Sequence, residues 1–214
     1  MQSRAAREMV ITAAGVGAII VAAAAAHAGH PSSAGPQALA AIEICQQSDG
    51  MPPPERAALL AAGLALAEQA AATNPQDATA HFAIFCNLGK SLMYRSTWKL
   101  FGALSDLRRA KNEIDLALTL APDYAPALAG KGAMLAELPR VLGGDRDEGA
   151  RLLLRAVALS PQDPKLLLAL AEVLKDSGEL DAARAHASTA IGILERAGPV
   201  DDLSSARAFV ASVQ

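Results

Sequence analysis

Apolar residues recur at three- and four-residue spacing from residue 37 to residue 213, interrupted only by short polar breaks. That period predicts helices over 37–48, 55–73, 78–95, 97–121, 125–138, 146–160, 164–177, 179–197 and 201–213. The punctuation agrees. Asn74-Pro75, Ala121-Pro122 and Ser160-Pro161 each close a long amphipathic stretch, because proline drives the residue before it out of the helical region. Asp163-Pro164 offers an N-cap followed by proline at the first helical position, and Ser177-Gly178 makes a tight break between two helices. The fold class is therefore all-α.

Spacing within these helices repeats. From Pro164 to Ala197, Leu167, Leu170, Ala171 and Leu174 fill a first helix, Gly178 the turn, and Ala183, Ala187 and Ala190 a second helix. Small residues are needed at those points because paired helices cross there at close range. This 34-residue unit resembles the tetratricopeptide repeat family without a gap. Counting back from Pro122 puts Ala110, Ile114 and Ala117 on the equivalent second-helix positions, with Leu88-Gly89 in a first helix that is nine residues too distant. The excess falls around Tyr94 to Asp106. Counting back from Pro161 gives Gly149, Leu153 and Ala156, with Lys131-Gly132 and Leu135 in the first helix and a five-residue excess at Pro139 to Gly144. An earlier unit ending at Pro75 matches through Ala67 and Ala70, and 201–214 reads as a capping helix. The resemblance implies an α-solenoid of about four hairpins with a C-terminal cap, two of its repeats carrying insertions. The inserted Leu-Pro-…-Leu-Gly-Gly-Asp turn is also similar to the periplasmic T-component of some TRAP-type solute transporters, although that family's lipoprotein cysteine is missing.

Composition adds a compartment. Arg4 and Arg7 precede an uncharged run from Met9 to Ala26, which ends in Ala26-His27-Ala28. A positive start, an apolar middle and an A-x-A exit make residues 1–28 a signal peptide cleaved after Ala28, with 29–36 as a linker and 37–214 as the repeat domain. The expected location is the periplasm; an uncleaved segment would instead anchor the chain to the inner membrane, the only membrane contact expected. Arg4, Arg7 and Glu8 give residues 1–28 a charge of +1, so the whole-chain −3 leaves −4 on the remainder. With no basic stripe, nucleic acid is not an expected partner. Two cysteines, Cys45 and Cys86, fit either one disulfide or two buried thiols.

Candidate chemistry is sparse. Past the cleavage site three histidines remain, His30, His81 and His186, one in the linker and two in different repeats. No H-E-x-x-H, C-x-x-C, G-x-S-x-G, Walker loop or dinucleotide fingerprint occurs, so neither a metal, a cofactor nor catalysis is expected. In the Leu142-Gly143-Gly144-Asp145 turn, the two glycines permit left-handed angles, and Asp145 with Glu148 forms a capping box. Arg140 is expected to pair with Asp145 or Asp147. Phe82, Phe85, Tyr94, Trp98 and Phe101 fall within twenty residues, interleaved with Lys90, Arg95 and Lys99. They either fill a widened core or rim a partner site.

In the family that the repeats resemble, first helices line a concave groove. The matching positions here are Cys86, Lys90, Met93 and Tyr94, then Ala129, Ala133, Ala136 and Glu137, then Lys165, Leu168, Glu172, Lys175 and Asp176. The resemblance implies a scaffold that binds a protein or peptide partner, with Lys90, Met93, Tyr94, Trp98, Glu137, Glu172 and Lys175 as contacts. A solute-binding transport accessory with an apolar cavity is the second expectation.

Overall fold

The computed structural model describes residue 31 and residues 34–94, 100–197 and 202–212. Residues 1–30, where the signal peptide is expected, part of the expected linker, Trp98 and residues 213–214 lie outside the described residues, as does the side chain of Phe101. Nine α-helices occur among the described residues: α1 (Pro36–Gln47), α2 (Pro53–Thr73), α3 (Ala78–Met93), α4 (Leu100–Leu120), α5 (Ala125–Glu137), α6 (Arg146–Leu159), α7 (Pro164–Asp176), α8 (Leu180–Ala197) and α9 (Asp202–Ser212). Each expected helix is present within a few residues of its predicted ends. Two single 3-10 turns, Ser48–Gly50 and Arg140–Leu142, were not foreseen.

Consecutive helices pack as the hairpins α1/α2, α3/α4, α5/α6 and α7/α8, with α9 laid against α8. The small residues predicted at the crossings are buried: Ala110, Ile114 and Ala117 in α4, Gly149, Leu153 and Ala156 in α6, Ala183, Ala187 and Ala190 in α8. One core cluster gathers around Leu153 and Leu170, another around Ile114, Phe82 and Tyr124. Neighbouring hairpins join where the first helix of one meets both helices of the hairpin before it, α3 on α1 and α2, and α7 on α5 and α6. Between α3 and α5 the rings of Phe82 and Phe85 act as spacers; they lie against Gly130, where an added Cβ would come within 2.6 Å of Phe85.

Cys45 of α1 and Cys86 of α3 are disulfide-bonded, with Cα atoms 6.2 Å apart. The same two helices are tied by Asn87, whose Nδ2 donates to the carbonyl of Ala41 at 3.1 Å. Asp77 caps α3 by accepting from the amide of Thr79, while its other oxygen accepts from the amide of Gly35 before α1.

Local chemistry of the inserted α5–α6 turn differs from expectation in three ways. Only Gly143 is left-handed, at φ 84°; Gly144 is required instead because a Cβ there would overlap the carbonyl of Leu138. Asp145 caps α6 through the amide of Glu148, but the reciprocal half of the capping box is not formed. The amide of Asp145 donates to Leu135 O at 2.8 Å, and Glu148 pairs with Arg151. Arg140 makes no ion pair among the described residues, because the left-handed step turns the chain between it and Asp145. At the regular hairpin, Gly178 (φ 86°) takes the expected role, with the Glu179 amide donating to Leu174 O.

A buried strut joins α3 to α4. His81 places Nδ1 2.6 Å from Glu113 Oε2 and Nε2 3.0 Å from the carbonyl of Pro75. That carbonyl can only accept, so Nε2 carries a hydrogen, and the carboxylate at Nδ1 favours a second. The hydrogen bond to Glu113 holds the His81 imidazole above its ordinary 6.5, against the opposing effect of burial. A raised folded-state value contributes stability that is complete below about 6.5 and is lost as pH rises through the folded value. His81→Gln should therefore cost most stability at mildly acidic pH and less at pH 9, read from urea midpoints of the two proteins across that range. A gap independent of pH would contradict the imidazolium assignment.

Candidate functional site

The spacers between α3 and α5 create a void, because the helix positions that could fill it carry almost no side chain. Gly89 lies one turn beyond Phe85 on α3, and a Cβ added there would meet no atom within 4 Å. On α5 the facing residues are Gly130 and Ala133. The result is an open cavity of about 390 Å³, walled by Phe82, Phe85, Leu92, Leu107 and Met134 and with Met93 and Glu137 also in its lining. Met93 is 65% exposed, a bare aliphatic side chain beside an apolar hollow.

Four predicted groove residues of α3 and α5 meet here: Cys86, Lys90, Met93 and Glu137, together with Ala133. Ala129 and Ala136, assigned to the same groove, are instead buried in the core, because α5 packs against both α6 and α7 and turns that face inward. Lys90 has an internal task. Its ammonium donates to the Cys45 carbonyl at 2.9 Å and pairs with Asp49 at 2.6 Å. Tyr94, 46% exposed, caps the end of α3; its hydroxyl lies 3.4 Å from Asp49, and the Arg56 guanidinium stands 3.8 Å above its ring. Together Lys90 and Tyr94 clamp the Ser48–Gly50 turn. Trp98, expected beside Tyr94 as a partner contact, lies outside the described residues.

Further along the inner face, α7 carries Glu172, Lys175 and Asp176. Lys175 donates to Ser212 at 2.8 Å and stands 5.2 Å from the Phe209 ring of α9. Desolvation raises both Glu137 and Glu172 above the usual carboxylate range. The neighbouring Asp176 adds to both, and Glu137 adds to Glu172, partly offset by Lys175. Glu137 also lines a second, polar cleft of about 420 Å³ at the inserted turn, with Arg140, Asp145, Arg146 and Asp147. The apolar cavity and the polar cleft are thus contiguous, sharing Glu137 and Leu138.

Among the described residues no three His, Cys, Asp or Glu side chains converge as a metal site. Sequence reasoning missed the cavity walls Leu92, Leu107 and Met134. The available signal was Gly89, Gly130 and Ala133, small residues whose counterparts in the regular repeat are Ala171, Ala169 and Glu172.

Residues 142–199 match the tetratricopeptide repeat family model. A thermophilic tetratricopeptide repeat protein of Thermus thermophilus superposes with a TM-score of 0.58 at 21% identity, covering 83% of this chain and 90% of that one. Residues 142–199 are thus of tetratricopeptide type, and the fold of the chain is that of a tetratricopeptide repeat solenoid. MamA of Desulfovibrio magneticus RS-1, residues 41 to the end, is similar at a TM-score of 0.47 and 18% identity, over 84% of this chain and 94% of that one. No curated protein matches the sequence. The tetratricopeptide fold in general supports protein-interaction scaffolds. The regular α7/α8 unit of this chain is the part that the family model covers most fully, and the cavity belongs to the two irregular repeats before it.

Proposed function

We propose that this protein is a periplasmic, non-enzymatic scaffold that holds a protein or peptide partner along the inner face of its first helices. The observation that carries the reading is the open apolar cavity between α3 and α5, with exposed Met93 at its edge. A solenoid offers area rather than a preorganised reactive pocket, and exposed apolar concavities of this kind serve docking. Gly89→Leu tests it cleanly. The new Cβ would meet no atom within 4 Å, so the side chain can extend from the wall into the open cavity, and leucine replaces the poorest non-proline helix former with a good one. Capture of partners from the periplasmic fraction should fall at least about tenfold, while thermal stability stays level or rises. Unchanged capture by a folded Gly89→Leu variant would refute the groove.

A small apolar solute is the second reading, as expected of a transport accessory. The cavity volume falls in the range of small-molecule sites. Native mass spectrometry of the purified protein distinguishes the two: a retained mass absent from Gly89→Leu favours the solute.

Export is supported by the Cys45–Cys86 bridge, since such bonds persist in oxidising compartments. The expected result is a mature chain beginning at Gly29, recovered by osmotic shock and read by N-terminal sequencing. Recovery of the intact leader in the membrane fraction would indicate the anchored form instead.

A further inference from the structure

The scaffold reading leaves open what kind of partner the groove accepts, and the inference below rests on that reading. Two features lie side by side on the inner face. The first is the apolar cavity between α3 and α5. The second is an excess of carboxylate at its α5 end. Glu137 belongs to the cavity lining itself, and Glu172 and Asp176 follow one turn apart on the adjoining helix α7.

The positive charges in the neighbourhood offset this excess only in part. Lys90, at the other end of the cavity, is neutralised by Asp49. Lys175 donates to the neutral Ser212 hydroxyl and lies near the Phe209 ring, so its charge persists and offsets part of the carboxylate excess at Glu172. The adjoining cleft brings Arg140 and Arg146, but it also brings Asp145 and Asp147 along with Glu137. Counting the two α7 carboxylates, the groove beyond the cavity is left net negative. Burial first, and then the neighbouring carboxylates, disfavour the charged forms of Glu137 and Glu172.

We infer that the groove takes a peptide segment presenting a large apolar side chain and, one helical turn away, a lysine or arginine. The apolar group fills the cavity against Phe85, Leu107 and Met134. The cation docks on Glu137, Glu172 and Asp176. The one-turn separation follows from Glu137 being part of the cavity lining, so the charged residue must emerge directly beside the buried one. Neutralising three crowded carboxylates is an interaction that a purely apolar ligand forgoes, and an acidic ligand would meet repulsion there. Docking of the cation favours the ionised carboxylates, so binding weakens as pH falls through their raised values. Arg140, Arg146, Lys175, Asp145 and Asp147 are the other charged groups that face this region.

The test is selection of random peptides of roughly twelve residues, displayed on phage, against three full-length proteins: wild type, Gly89→Leu, and Glu137→Gln/Glu172→Gln. Wild type should enrich peptides with Leu, Ile, Met or Phe followed or preceded at three or four residues by Lys or Arg. In a synthetic hit, replacing that basic residue by alanine should weaken binding to wild type about tenfold and to the double variant hardly at all. Selected peptides that lose binding on Gly89→Leu but carry no basic preference, or an acidic one, would overturn this inference while leaving the groove standing. Peptides indifferent to Gly89→Leu, or no enrichment at all, would overturn the groove reading and the inference with it. Circular-dichroism melts of all three proteins show that any loss of binding is not a loss of folding.

Discussion

Reducing the Cys45–Cys86 bond is expected to lower the unfolding free energy by about 4 kcal/mol, the chain-entropy value for a link across some forty residues. The bond spans a sequence separation of 41 and joins α1 to α3, two helices of different hairpins. Without it the unfolded chain gains conformational freedom, while the folded chain keeps its other ties between those elements. Asn87 still reaches Ala41, Asp77 still holds Gly35, and Lys90 still reaches the Cys45 carbonyl. The reduced protein should therefore fold but unfold at a clearly lower denaturant concentration. Urea titrations with and without dithiothreitol measure the difference, and the Cys45→Ser/Cys86→Ser protein should match the reduced wild type and ignore the reductant. Equal midpoints for oxidised and reduced wild type would show that the bond restrains little. Cys86 also lines the cavity, so weaker binding after reduction would reveal that α1 helps hold that wall in place.

How much of this molecule could be read in advance depended on how local the signal was. The α7/α8 hairpin was legible residue by residue, because its core positions, its proline start and its glycine turn all follow from contacts within one 34-residue unit. The small residues of α4 and α6 were legible for the same reason, once counted back from the proline that closes each helix. What escaped depended on contacts between helices, within a repeat or across repeats, that lie far apart in sequence. The sharing of Asn87 between α1 and α3, the His81–Glu113 strut and the clamp made by Lys90 and Tyr94 all join residues at least 30 positions apart, and no spacing rule reveals them. Lys90 is the instructive case. It is expected from the sequence as a partner contact, whereas the Ser48–Gly50 turn that engages its ammonium is not foreseen. The cavity was legible only as a region. Its shape comes from small residues at Gly89, Gly130 and Ala133, and an absent side chain carries less signal than a present one.

The two glycines that matter most for packing should respond to alanine with opposite sign. In an unobstructed helix, glycine to alanine favours folding by up to about 1 kcal/mol. Gly89 faces open space, so Gly89→Ala should stabilise by about 0.5 kcal/mol. Gly149 presents the opposite geometry. A Cβ there would come within 2.6 Å of the Gly132 carbonyl and 3.0 Å of the Ala136 amide, both backbone atoms of α5. Backbone cannot rotate aside as a side-chain tip can, so α5 and α6 must separate. Moving them draws Leu153, fully buried beneath the crossing, away from its partners. Overpacking of this kind costs about 1–3 kcal/mol or more, which outweighs the helix-propensity gain and leaves Gly149→Ala destabilised by about 2 kcal/mol. Denaturant midpoints of the two single variants decide the matter together. If Gly149→Ala were as stable as wild type, the close contact between these helices would not be the reason glycine occupies that position.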